Sequence, residues 1–258
     1  MEYTGERMVP EHTDGLTFWE HVERYRFALQ HVRGRRVLDI ACGEGYGSAA
    51  LAAAGASHVI GVDIAAEACA HARAKYGIET RTGSAESMPI RDGEVDVVVS
   101  FETIEHLHDV KAFIRECHRV LSPGGTLIIS TPNLPVYHER APDNPFHHHE
   151  MALDEFQQLL GLGFTNVTLF GQHIPVPRFL QLRGVRRLTG WFHRLVAPHV
   201  GRAPTPQQAS DAVATIRREA TWRDAFDPYR VRVMPSSKLE RATFLVAVAI
   251  RAESFRHA

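Results

Sequence analysis

The chain has 258 residues, 44% of them hydrophobic, and a formal net charge of −1 at pH 7. That is enough apolar material for one large core, and too little charge asymmetry for a general pull toward nucleic acid or an anionic membrane. Three cysteines, Cys42, Cys69 and Cys117, lie far apart without a CxxC pair, which argues against a disulfide framework or a cysteine zinc site and fits a reducing cytosol.

MEYTGERMVPEHTDG at the N-terminus is polar and mixed in charge, unlike a signal peptide, and no run of about 18 apolar residues is present to span a membrane. The location this implies is cytoplasmic. Residues 1–17 read as irregular. FWEHVERYRFALQHV (18–32) places Phe18, Val22, Tyr25, Leu29 and Val32 three to four apart, which predicts a helix.

From there apolar strands alternate with helices. RRVLDIA (35–41), HVIGVDI (58–64), IETRTGS (78–84), VDVVVS (95–100) and TLIIS (126–130) read as strands. Between them, 48–55, 65–77 and 109–121 read as helices, the first two stopped by Gly55 and Gly77, the last followed by the turn SPGG (122–125). VDVVVS is almost continuously apolar, as a strand covered on both faces should be. The proline-rich 131–146 reads as a loop, 153–164 as an amphipathic helix, and 164–170 and 244–250 as further strands. The stretch between those two strands is rich in Arg, Pro and Ala and reads as an insertion or lid, helical at least over 207–225. The pattern predicts an α/β fold: a doubly wound, mostly parallel, seven-stranded Rossmann-like sheet with an N-terminal helical cap and an insertion before the last strand. The whole chain is then one domain, divided into a cap (1–34), a core (35–170), an insertion (171–240), and the last strand and tail (241–258).

Two stretches carry chemistry. In VLDIACGEGYG (37–47), a strand ends on Asp39 and runs into a turn with Gly43, Gly45 and Gly47 before a helix. Glycine permits positive φ and close approach of a ligand, and the helix start offers free N–H groups. Asp63 ends the next strand, where a carboxylate accepts hydrogen bonds from a ribose diol. The order is not GxGxxG, so no pyrophosphate cradle is spelled out. In FETIEHL (101–107), Glu102, Glu105 and His106 follow the fourth strand directly. On an α-helix they would share one face. Either they decorate a wet first turn or they form a metal or acid–base site beside a substrate.

Together these stretches resemble the class I S-adenosylmethionine-dependent methyltransferases, of the type-11 and ubiquinone O-methyltransferase-like kind. The resemblance rests on VLDIACGEG, GVDI, GSAESMPI, DVVVSFETIEHL and LSPGGTLIIS, and covers about 35–170 and the last strand. It implies that S-adenosylmethionine lies with its methionine and ribose near Asp39, Ala41, Gly43 and Gly45. Its ribose hydroxyls would meet Asp63, its adenine would lie near Ile64, Ser84, Ala85 and Glu86, and Phe101 would stand beside it at the end of strand four. Ala41 stands where glycine is commoner, and Ser84 where an aspartate often meets the adenine amino group. TGERMVPE and EHVERYRFAL resemble methyltransferases of sugar and polysaccharide pathways. By that likeness Arg24 and Tyr25 close over the cofactor's methionine carboxylate; the alternative leaves Arg24 on the wet face of a capping helix.

E-x-x-E-H, STPN and the later HHHE (147–150) resemble two metal-dependent subfamilies, the small-RNA 3′-terminal 2′-O-methyltransferases and the ubiquinone-pathway O-methyltransferases. The likeness implies a divalent ion on Glu102, Glu105, His106 and His147, with His148 and His149 as alternates. A mixed oxygen and nitrogen set suits magnesium, manganese or zinc without choosing among them. The ion would activate a substrate hydroxyl as a Lewis acid, with His106 or His147 taking its proton. The implied activity is O-methylation of a sugar, glycoside or other small natural product. Arg178, Arg183, Arg186, Arg187, Arg194 and Arg202 in the insertion would suit a phosphorylated or sugar-linked acceptor, or else face solvent, and Trp191, Phe192 and Trp222 would form a lid or pack in the core. RNA 2′-O-methylation, N-methylation of an amino sugar and a cofactor-binding scaffold without activity are the alternatives. Near-zero net charge argues against nucleic acid, and oligomeric state is not legible.

Overall fold

A computed structural model describes residues 15–138, 144–173, 231–233 and 236–256. The sheet is built from β1 (Arg36–Ile40), β2 (His58–Asp63), β3 (Glu79–Thr82), β4 (Val95–Ser100), β5 (Leu121–Pro132), β6 (Phe164–Gln172), β7 (Val231–Val233) and β8 (Phe244–Arg251). Its order is β3-β2-β1-β4-β5-β8-β6-β7. The first five strands pair in parallel, while β8 lies antiparallel between β5 and β6. The expected seven strands are present, with the three-residue β7 added antiparallel at the β6 edge. The chain leaves β1 for β2 on one side and returns to β4 on the other. That switch point is where an open α/β sheet forms its binding crevice.

Alternation along each strand sends side chains to two layers. Val37, Val59, Val97, Val99 and Ile128 pack with α1 (Gly15–Ala28) and α2 (Tyr46–Ala53). Leu38, Ile40, Ile60, Val98, Leu127 and Ile129 form the opposite layer with α4 (Val110–Val120) and α6 (Leu153–Leu160). Two further helices, α3 (Ala66–Tyr76) and the single turn α5 (Leu134–Tyr137), complete the set up to β6. Helix α4 starts on Asp109, whose Oδ1 accepts the Ala112 N–H at 2.8 Å, and it buries Phe113, Ile114, Cys117 and Val120 at helical spacing. Helix α3 stops at Gly77, in the left-handed region at φ 68°. A final turn, α7 (Ser236–Leu239), leads into β8, where Asn133 Nδ2 donates to the Leu239, Glu240 and Ala242 carbonyls.

Several boundaries differ from the sequence reading for local reasons. Strand β5 begins at Leu121, because SPGG bulges out between the Val95–Leu121 and Val97–Thr126 pairs and leaves the strand running through it. The loop at 131–146 contains α5. FETIEHL does not start an α-helix: Glu102 sits at φ 49°, and only Ile104–His106 follow as a 3₁₀ turn. The helix expected at 207–225, the insertion arginines and the insertion aromatics lie outside the described residues. The three cysteines are free and buried. No helix among the described residues is long and apolar enough to cross a membrane.

Candidate functional site

The glycine turn sits at the carboxyl end of β1. Ala41, Gly43 and Gly45 all take positive φ, at 56°, 53° and 86°. On the sides facing α3 and α1 the turn is closely packed: a Cβ on Gly45 would lie 2.5 Å from Ala72 Cβ, and one on Gly47 would enter the Tyr25 ring. Ala41, the departure from the usual glycine, carries its Cβ in a conformation that disfavours it by about 1–2 kcal/mol. Ala41→Gly is therefore expected to raise stability by up to about 1 kcal/mol, after the greater entropy of unfolded glycine is subtracted, measurable as a higher urea midpoint.

Asp63, at the end of β2, holds the turn. Its Oδ2 accepts the Gly43 N–H at 2.8 Å and its Oδ1 the Ala65 N–H at 2.9 Å. Next to it Ile64 is 77% exposed, an apolar side chain left open beside the turn. Ala85 is buried nearby in sequence to Ser84, whose Oγ accepts the Glu86 N–H, while Glu86 Oε1 turns to the Asp109 N–H at the start of α4.

Under the turn lies a polar triangle that was not legible in the sequence. Asp39 is fully buried and accepts from Ser48 Oγ at 2.6 Å and Tyr25 OH at 3.0 Å. Burial raises its pKa to about 7, against the pull of the two hydrogen bonds. Tyr25 itself stands edge-on to Tyr46 and Phe101. Because the folded pKa lies above the unfolded one, the native state binds more protons between about pH 4 and 7, and stability falls as pH rises through that window. Asp39→Asn does not titrate. Its melting temperature is expected to match the wild type near pH 4 and to exceed it by several degrees above pH 7, in a thermal-unfolding series.

Arg24, on the same helix, is not on a wet face. It is 0% exposed, donates from Nη1 to Gln172 Oε1 at 2.7 Å and lies 4.6 Å from the Phe244 ring centroid. The residues that bury it, on β6 and β8, are over 140 positions away in sequence, so helical periodicity gave no sign of it. Its Nε and Nη2 have no hydrogen-bond partner among the described residues.

Beyond β4, Glu105, His106 and His147 bring one ligand atom each within 4.8 Å of one another. Glu105 is fully buried, and neither carboxylate oxygen has a hydrogen-bond partner among the described residues. Burial, with the neighbouring Glu102 charge second, pushes its pKa well above the ordinary carboxyl value. The Glu105 carbonyl accepts the His148 and His149 N–H groups at 2.8 and 3.1 Å, which ties the HHHE loop to the 3₁₀ turn. His106 Nδ1 faces the Phe146 carbonyl at 2.9 Å, and His147 Nδ1 faces Glu150 Oε1 at 2.7 Å. Each acceptor favours the Nδ1–H tautomer, the one that an outer carboxylate or carbonyl selects in a metal-binding imidazole. Tyr137 stacks on His147 at 5.3 Å. His148 stacks on His108, and His149 meets Glu155. Glu102 is not one of the convergent three. Its Oε1 accepts from Ser130 Oγ at 2.8 Å and its Oε2 lies 3.9 Å from Arg24 Nη2. Ser130, Glu150 and Gln172 were not singled out as site residues in the sequence, although Ser130 opens STPN and Glu150 closes HHHE.

A family described as a methyltransferase domain matches residues 38–129. A probable S-adenosylmethionine-dependent methyltransferase of Mycobacterium tuberculosis is 39% identical over 219 residues, which are 82% of this chain and 78% of the relative. A ubiquinone biosynthesis O-methyltransferase of Pseudomonas aeruginosa is 41% identical over 109 residues, 39% of this chain and 45% of that one. A solved Thermotoga maritima S-adenosylmethionine-dependent methyltransferase, described as a possible histamine N-methyltransferase, superposes with a TM-score of 0.58 at 17% identity, covering 91% of this chain and 93% of its own. A Mesorhizobium loti methyltransferase gives 0.56 at 19%, covering 92% and 100%. At these identities the two structures show a shared fold.

Proposed function

Because the chain belongs to the S-adenosylmethionine-dependent methyltransferases, we propose that it methylates a hydroxyl of a small acceptor, a sugar, glycoside or similar natural product, with a divalent ion at Glu105, His106 and His147. The observation that carries the metal reading is Glu105: a buried carboxylate whose two oxygens have no hydrogen-bond partner among the described residues, beside two imidazoles whose Nδ1 atoms are already engaged. A buried carboxylate without partners costs several kcal/mol, and a cation is the partner this donor set suits. Glu102 stands beside the three as the fourth candidate ligand.

S-adenosylmethionine supplies, when bound, a methyl group on a sulfonium, open to in-line attack by a nucleophile. Asp63, whose oxygens accept the Gly43 and Ala65 N–H groups, would offer its remaining lone pairs to the ribose diol, and the exposed Ile64, with Ser84, Ala85 and Glu86, would hold the adenine. Ala41, Gly43 and Gly45 let the backbone approach the ribose and methionine, Phe101 lines the same edge, and Asp39 lies beneath. Arg24 would give its unused donors to the methionine carboxylate, and Tyr25 holds Asp39 beneath the turn. A divalent ion at the trio would lower the pKa of an acceptor hydroxyl as a Lewis acid. With Nε2 given to the ion and Nδ1 already engaged, His106 and His147 would hold the ion while the acidified proton leaves to solvent. Without an ion the same Nε2 would take the proton, and in both cases a near-attack geometry supplies much of the rate.

Activity toward a panel of hydroxylated and amino sugars, followed by mass spectrometry, tests both parts. Turnover is expected to stop in EDTA and to return with manganese or magnesium; full turnover in chelator would contradict the metal assignment, and methyl transfer only to amines would contradict O-methylation.

A further inference from the structure

Glu102 and Glu105 lie three residues apart in opposite circumstances. Glu105 has no hydrogen-bond partner on either oxygen among the described residues. Glu102 is held on every side: Ser130 Oγ donates to its Oε1 at 2.8 Å, its own N–H donates to Ser130 Oγ at 3.2 Å, and Oε2 faces Arg24 Nη2 at 3.9 Å. Its backbone is at φ 49°, a left-handed conformation that a long side chain adopts only where its surroundings impose it. The Ser130 pair is what imposes it here.

Arg24 is the other half of this arrangement. Its guanidinium is completely buried, and two of its three nitrogens donate to nothing among the described residues. The 3.9 Å separation from Glu102 is an ion pair without a hydrogen bond. Such a cation is neutralised but not satisfied. A planar carboxylate arriving with bidentate geometry would satisfy it far better than Glu102 does.

Given the cofactor and metal readings above, we infer that Glu102 is a positioning residue shared by the two halves of the site. In the free protein it neutralises Arg24 and stays out of the Glu105–His106–His147 set. When a ligand carboxylate takes Arg24, Glu102 loses its electrostatic partner and swings to the cation held by the trio. Before a ligand carboxylate arrives, that move would strip the buried Arg24 guanidinium of the counter-charge Glu102 supplies. Cofactor and metal therefore bind with positive coupling, and by linkage each tightens the other by the same factor.

The test is manganese binding to the full chain, followed by electron paramagnetic resonance, with and without saturating S-adenosylhomocysteine. The manganese Kd is expected to fall about tenfold with the cofactor product, and the S-adenosylhomocysteine Kd to fall equally with manganese. Glu102→Gln should retain the weaker manganese affinity and lose the coupling. Ser130→Ala, which loosens the hold on Glu102, should tighten manganese in the cofactor-free protein and shrink the coupling. Manganese affinity indifferent to S-adenosylhomocysteine in the wild type, or coupling intact in Glu102→Gln, would overturn the shared role and leave the metal site standing. Manganese binding in neither state would remove the metal site itself and this role with it.

Discussion

Replacing Asp63 by alanine is expected to weaken S-adenosylhomocysteine binding by at least about a hundredfold, two charge-assisted hydrogen bonds being worth about 1.5–3 kcal/mol each. Two losses combine. The carboxylate no longer receives the Gly43 and Ala65 N–H groups at 2.8 and 2.9 Å, so the glycine turn is no longer tied to β2. On the proposed cofactor assignment the ribose diol would lose its acceptor as well. Asp63→Asn separates them, because an amide oxygen still accepts one backbone N–H: its loss should fall between wild type and alanine. Isothermal titration measures all three, and an unchanged affinity in Asp63→Ala would remove the cofactor assignment at this turn.

The second large effect has two signs. Glu105→Gln should stabilise the metal-free protein and abolish metal-supported turnover. Exchanging an unpartnered buried carboxylate for an amide relieves roughly 1–3 kcal/mol, a rise of a few °C in melting temperature for a chain of this size. Burial raises the Glu105 pKa in the folded state, so its contribution to stability is present at low pH and lost as pH rises. The Gln variant does not titrate, and its advantage should grow with pH in a thermal-unfolding series. Turnover should fall by more than about 100-fold, since even loss of a residue behind a metal ligand costs up to that much. A residue serving only the fold would show the opposite stability change.

The fold was largely legible because its signals are local. VDVVVS fits β4 residue for residue, and Gly77 stops α3. What escaped depends on contacts distant in sequence. The reversal of β8 between β5 and β6 leaves no mark on an apolar run such as FLVAVAI. Arg24 looks like any charged residue on a helix until Gln172 and Phe244 close over it. The candidate site was legible as a set of residue types and not as geometry. E-x-x-E-H implies a shared helical face, yet Glu102 sits in the left-handed region ahead of a 3₁₀ turn and pairs with Ser130 and Arg24 while Glu105 converges with the histidines. The Tyr25–Asp39–Ser48 triangle joins a helix, a strand and a second helix, and no single motif encodes it.

Crystals grown with S-adenosylhomocysteine and manganese, measured for anomalous scattering, locate sulfur and metal in one experiment. The manganese peak should lie on Glu105, His106 and His147, and the sulfur at the carboxyl edge of β1 and β4, facing that ion across an open acceptor space. Manganese elsewhere, or a sulfur turned away from the trio, would contradict the account.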